Sequence, residues 1–282
     1  MTTLREELLR RAVFRCLRLS EALRRGHEGL ASASAATALA GLSPASLVRL
    51  TADLFGRGRM HVDDALFDWE EEWFAGDLPA PPARLLIGGA GDGREVSPLA
   101  ARGYEVVAFE PSRRLVERAA RRFEGDPKVE FVEGSFEEMI DRRPGALRDA
   151  LERRKPFDAI VFGWTSFTHV VEPEIREAAL VRARELCPAG PALLSFWLRG
   201  EDDAPARLGR GARLGAALGR LSGRGRAREI GAGDSVVGHA GYCHAFTWAE
   251  LEALAAAAGY AVSGSSRGCG EAYPHLTLRP PG

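Results

Sequence analysis

The stretch LLIGGAGDGREV, residues 85–96, decides the fold of this chain. Leu85, Leu86 and Ile87 form an apolar run with no polar interruption, as expected of a strand buried on both faces. Gly89, Gly91 and Gly93 follow at alternate positions. Glycine there lets the backbone turn sharply and approach a ligand with no Cβ between them. The residues that follow read as a helix, whose first amides point back at the turn and favour an anionic group. Strand, glycine turn and helix together form one βα unit.

Outward from this unit the same grammar repeats. Short apolar runs RLLIG (84–88), EVVAF (105–109), VEFV (129–132), DAIVF (158–162) and PALLSFW (191–197) alternate with charged helical stretches. This alternation predicts an α/β fold with a doubly wound, mostly parallel sheet covered by helices on both faces. Ligands on such sheets sit beyond the carboxyl ends of the strands, where the strand order reverses. EVVAFEPS (105–112) puts Glu110 at such an end, beside the glycine turn. A carboxylate there can accept hydrogen bonds from the two vicinal hydroxyls of a ribose. The plainer reading is a tight turn without ligand and a surface glutamate paired with Arg113 or Arg114. The two features together favour an adenosine-type ligand.

The ends of the chain read differently. Leu4, Leu8, Leu9, Val13, Cys16 and Leu17 recur at helical spacing. Ser43 and Pro44 open a second helix, and a third carries Leu66, Phe67, Trp69, Trp73 and Phe74, an aromatic stripe that reads as core. LPAPPA (78–83) breaks the pattern. Residues 1–80 are therefore expected to be a helical region serving as a cap or oligomerisation surface for a homo-oligomer, and residues 81–282 the α/β domain. A Gly-, Ala- and Arg-rich stretch at about 200–240 reads as a helical insertion. Its arginines, Arg207, Arg210, Arg213, Arg220, Arg224, Arg226 and Arg228, suit a solvated helix face or a lid for an acidic or carrier-linked substrate. Thr247 and Glu250 form a capping box, Gly259 ends that helix, and YAV opens a strand. EAYPHLTLR (271–279) reads as the last one.

Composition narrows the classes. Hydrophobic residues make up 45%, enough for a sizeable core. A net charge of −1 gives no overall electrostatic case for nucleic acid. The four cysteines, Cys16, Cys187, Cys243 and Cys269, are scattered, with no C-x-x-C pair, so neither a disulfide framework nor a metal site is expected. The N-terminus lacks the arginine-free apolar stretch of a signal peptide, and no run of about 18 apolar residues occurs. A soluble cytoplasmic protein without membrane partners is the expectation.

The glycine spacing separates two adenosine ligands. A dinucleotide fingerprint requires G-x-G-x-x-G. Here the third glycine of Gly89-Ala90-Gly91-Asp92-Gly93 falls one place early, giving G-x-G-x-G. The motifs then run in order through Glu110, EGSFEEM (133–139), FDAIVFGWTSF (157–167) and a helix ending in Ala-Gly-Tyr before two closing strands. In that spacing and order the chain resembles the class I S-adenosylmethionine-dependent methyltransferases, a Rossmann-like family, over nearly all of residues 84–279.

The resemblance implies a seven-stranded sheet with an antiparallel last strand, and S-adenosyl-L-methionine as cofactor. It implies that Gly89, Ala90, Gly91 and Gly93 wrap the methionine end and that Glu110 holds the ribose. Pro111 and Ser112 would flank the adenine. Ser135 stands where the family usually reads the adenine amino group with an aspartate, and Phe136 would offer its amide. Phe162, Gly163 and Trp164 would line the sulfonium, with Phe167 nearby. Two positions depart from the family: Ser135, and Ile87 where an acid often ends the first strand.

The acceptor is expected to be a small molecule, methylated on oxygen or nitrogen. A hydroxyl acceptor calls for a general base, and histidine suits neutral pH. His244, in GHAGYCHAFTWAEL (238–251), and His169, after the fourth strand, are the candidates, with His239 and Tyr242 behind them. A structural role beside the Thr247 cap is the plainer reading of His244. No metal is required, and His169 with Glu172 is not a ligand pattern. Two other classes remain: a nucleotide-dependent oxidoreductase, and a non-catalytic methyltransferase-like interaction subunit, suggested by Ile87 and Ser135.

Overall fold

A computed structural model describes residues 4–58, 65–141, 143–200, 210–222, 231–268 and 273–281. Three helices come first: α1 (Leu4–Gly41), α2 (Pro44–Arg57) and α3 (Asp68–Asp77). The alternating part follows as β1 (Arg84–Gly88), α4 (Val96–Ala101), β2 (Glu105–Glu110), α5 (Arg113–Arg122) and β3 (Val129–Glu133). It continues through α6 (Phe136–Ile140), α7 (Ala146–Arg154), β4 (Ala159–Phe162), α8 (Pro173–Leu186) and β5 (Ala192–Ser195). The short β6 (Trp197–Leu198) and α9 (Arg210–Ser222) lead to β7 (Asp234–Val237) and β8 (Gly241–Phe246). The chain closes with α10 (Trp248–Ala257), β9 (Ala261–Ser265) and β10 (His275–Arg279).

These elements fall into two units, residues 1–43 with 206–230 and residues 44–205 with 231–282. In the first, α1 and α9 meet through small residues. Ala36, Ala40 and Ala216 are buried together, and a Cβ on Gly219 would lie 2.5 Å from the Thr37 carbonyl. The Thr37 hydroxyl donates to the carbonyls of Ala33 and Gly215. Two backbones this close leave room for little more than hydrogen at the contact.

The second unit is built on a seven-stranded sheet in the order β3-β2-β1-β4-β5-β10-β9. β1 pairs in parallel with β2 and β4, while β10 runs antiparallel to both of its neighbours. This is the expected sheet. Strand side chains alternate between faces. Leu86, Val107, Ile160 and Leu194 enter one core, and Leu85, Ile87, Val106 and Val161 enter the other. Burial on both faces explains the unbroken apolar runs. The strand order reverses at β1 and β4, so a crevice opens beyond their carboxyl ends.

Two helices from the N-terminal part of the sequence belong to this unit. In α3, Trp73 and Phe74 are buried, and the Trp73 indole donates to Thr277 Oγ1 at 2.8 Å. α2 lies against β8, where the Tyr242 amide donates to Thr51 Oγ1 at 2.9 Å. Gly241 makes that approach possible: its φ is +68°, and a Cβ there would lie 2.5 Å from Thr51 Oγ1.

The region expected as a helical insertion is only partly helical. The described helix ends at Ser222, and residues 234–246 form a hairpin in which Val236 faces Tyr242. With β6 it makes a three-stranded sheet. The glycines of GHAG concealed the alternation on either side, since they form the turn and not a helix end. The last strand begins at His275, later than expected. Arg207, Arg224, Arg226, Arg228 and Cys269 lie outside the described residues. Among the described residues no helix is long and apolar enough to cross a membrane.

Replacing Thr51 by valine keeps the shape but leaves the buried Tyr242 amide without its acceptor. The expected loss is about 1–3 kcal/mol of stability, read as a lower midpoint in urea. An unchanged midpoint would remove this bond from the account of how α2 is held.

Candidate active site

A cleft opens at the carboxyl end of the sheet, about 1110 Å³ including its open mouth. Its floor is the turn after β1, where Gly89, Gly91 and Gly93 have φ of +69°, +59° and +92°. These are left-handed conformations that side chains disfavour. At Gly89 a Cβ would also lie 2.7 Å from that of Ser166. The turn is tied to the next strand: the Gly91 amide donates to Glu110 Oε2 at 3.1 Å, and the Ser112 amide to Oε1 at 2.9 Å. Glu110 is buried, and burial pushes its carboxyl up to about 7 despite those two amides. Each oxygen keeps further acceptor capacity.

A second carboxylate lies at the other end of the floor. Arg94 binds Glu70 through both nitrogens, at 2.7 and 2.5 Å, and donates to Glu95 at 2.8 Å. Its guanidinium stacks 4.5 Å from the Phe67 ring centroid and 4.9 Å from that of Trp164. Burial raises Glu95 to about 8 against the pull of the Arg94 charge, and the neighbouring Glu70 carboxylate adds to the rise. Trp164 and Thr165 carry φ of 33° and 63°, two successive left-handed residues without glycine. Strain of this kind gathers where a turn must present groups to a ligand. Here it brings Trp164 and the 3₁₀ turn Ser166–His169 to the cleft.

Among the expected site residues, Gly89, Ala90, Gly91, Glu110, Pro111, Ser135, Phe136, Trp164 and His169 line the cleft. The others lie behind it. Gly93 is turned against the Phe123 ring. Ser112 is buried beside Gly56 of α2. Phe162 points into the core, 5.0 Å from Phe136 and 5.9 Å from Phe167 between ring centroids. Gly163 backs onto Glu95, whose Oε1 would lie 2.5 Å from a Cβ there. Ser135 lines the cleft but also caps α6, accepting from the Glu138 amide at 3.3 Å.

His244 is placed away from the cleft. It is 5% exposed, its Nδ1 lies 2.8 Å from Asp234 Oδ1, and the same oxygen accepts from the Tyr242 hydroxyl. This corrects its expected place at the substrate: the hairpin that sequence reading missed turns its ring inward. His169 does line the cleft. Its Nδ1 is 2.7 Å from the Tyr242 carbonyl, which can only accept, so Nε2 carries the lone pair. Burial holds the ring below the usual histidine range.

A cap from the N-terminal helices was expected, but sequence reasoning named none of the α2 residues at the cleft. Val48, Thr51, Ala52 and Phe55 of α2 line the cleft, and Phe55 meets His169 edge-on at 5.1 Å. Their three- and four-residue spacing was a readable helix face. Glu95 and Ser166 were missed too, because a glutamate just before a helix and a serine in a short turn are unremarkable in isolation.

Residues 86–190 match the model of a methyltransferase domain family. Solved structures share its fold at low identity. The CcbJ methyltransferase from Streptomyces caelestis is 16% identical with a TM-score of 0.55, covering 86% of this chain and all 100% of its own. CalS10, an amino pentose methyltransferase from Micromonospora echinaspora, is 20% identical with a TM-score of 0.51, covering 82% and 95%. A Rhodobacter sphaeroides chain named as a candidate zinc-dependent alcohol dehydrogenase is 13% identical with a TM-score of 0.57, covering 84% and 98%. Such likenesses concern the fold. No curated protein sequence matches the chain.

In the folded chain Glu110 keeps its proton up to about pH 7, whereas the unfolded chain releases it near 4.5. The stability this group contributes is complete below about pH 4.5 and is lost as pH rises toward 7. Glu110→Gln cannot ionise, so its melting temperature should fall less over that interval than the parent's. Parallel melting curves against pH would show that Glu110 is ionised throughout.

Proposed function

We propose that this chain is an S-adenosylmethionine-dependent methyltransferase acting on a small molecule, by O- or N-methylation. One observation carries the reading: a buried carboxylate, Glu110, clasps the Gly91 amide, so the glycine turn and the ribose-type acceptor share one cleft. The residues present fit the donor. Glu110 has acceptor capacity for two hydroxyls, and Pro111, Ser135 and Phe136 line the adjoining wall. Gly89 and Gly91 let a ligand reach the backbone. Ser166 Oγ is buried without a hydrogen-bond partner, a group that a ligand would satisfy. The third glycine, one place early for a pyrophosphate turn, favours this ligand over a dinucleotide.

When bound, S-adenosylmethionine supplies a methyl carbon activated by a sulfonium. The chain's own contribution is alignment and exclusion of water, which can be worth up to about 7–11 kcal/mol. The α2 roof supplies Val48, Ala52 and Phe55, apolar surface suited to a small and partly apolar acceptor. His169 is oriented by its bond to the Tyr242 carbonyl and offers Nε2 as the base for a hydroxyl acceptor. The small-molecule reading draws support from CalS10, named for an amino pentose substrate.

S-adenosylhomocysteine should raise the melting temperature by several degrees at a hundredfold excess over its dissociation constant, about 2.7 kcal/mol by mass action, and NADH should not. Glu110→Ala should remove most of that shift. Stabilisation by NADH instead would move the protein to the oxidoreductases. With a hydroxyl acceptor, His169→Asn should lower kcat by about 10²–10⁴-fold and leave S-adenosylhomocysteine affinity nearly unchanged. Normal turnover would return His169 to a purely packing role.

A further inference from the structure

Ile87 leaves the end of the first strand without an acid, yet Glu95 brings a second buried carboxyl group to the cleft besides Glu110. Glu70 and Glu95 are both buried, and Arg94 is the one cation paired with Glu95 among the described residues. Glu70 already takes both nitrogens of that guanidinium, leaving Glu95 one bond from it through Oε1. One guanidinium balances only one of two buried carboxyl groups, so Glu95, raised to about 8, keeps its proton until a cation sits beside it to take that proton's place.

A second and independent group points to the same place. Ser166 is 6% exposed, lines the cleft, and its Oγ has no hydrogen-bond partner. It lies against Gly89, as Glu95 lies against Gly163, so both side chains stand where glycine opens the backbone. A carboxylate and a hydroxyl beside the glycine turn suit a group with positive charge and several N–H donors. An ammonium has both, whereas a sulfonium has the charge and no hydrogen to donate.

We propose that Glu95 and Ser166 seat the α-ammonium of the donor's methionine end, Glu95 as its counter-charge and Ser166 Oγ as a second acceptor. The proposal rests on S-adenosylmethionine being the donor. Glu95 then supplies from the start of the first crossover helix the charge that Ile87 cannot supply from the strand. Arg94 and Glu70 act as positioning residues that hold the carboxylate at the cleft floor.

Titration calorimetry with S-adenosylhomocysteine and its deamino analogue, hydrogen replacing the α-amino group, tests this. The unmodified protein should prefer S-adenosylhomocysteine by about tenfold or more, as a charge-assisted bond predicts. Glu95→Gln should lose most of that preference, through weaker binding of S-adenosylhomocysteine with the analogue little changed. Ser166→Ala should lose part of it. Equal binding of both ligands by the unmodified protein overturns the proposal, as does a Glu95→Gln variant that keeps the full preference; the donor assignment survives either result. Should Glu95→Gln fail to fold, an undiminished preference in Ser166→Ala overturns the shared seat. Binding of neither ligand by the unmodified protein removes the donor assignment and this proposal together.

Discussion

The hydrogen bond from the Gly91 amide to Glu110 joins the tips of two adjacent parallel strands, and the cleft depends on it. Glycine turns have many accessible shapes, and this one is held by a carboxylate that also accepts from Ser112. The cost is a buried acid whose proton affinity is raised, and such shifts concentrate where a site must meet a ligand. The strained turn at Trp164 and Thr165 matches it across the sheet, so the floor is shaped from both sides of the strand reversal.

Most of the sheet was legible because its strands are buried on both faces. β1 and β2 read as unbroken apolar runs, and Glu110 stood out as the first polar group after one of them. The hairpin β7–β8 was not legible. Its Gly-His-Ala-Gly turn resembles a loop, and its strands are set by pairing and by α2, neither of which is a local property. That one omission misplaced His244.

The cleft's residues divide in the same way. Gly89, Gly91, Glu110 and Trp164 follow motif order and could be placed from sequence. Glu95 and the α2 face could not, since each gains meaning from what it meets in space. Phe162 shows the converse: motif order put it at the sulfonium, while strand alternation sent its ring into the core with Phe136 and Phe167. Ser135 illustrates a shared duty, facing the cleft while its hydroxyl caps α6.

The tie between Thr51 and Tyr242 spans 191 positions of sequence. Contacts of such separation close late, because a long loop must be ordered before they form. On the ribosome the strands that carry the glycine turn and Glu110 emerge well before β8 does. A nascent chain therefore has a floor before its ceiling is tied down, and its cleft stays open until β8 has emerged.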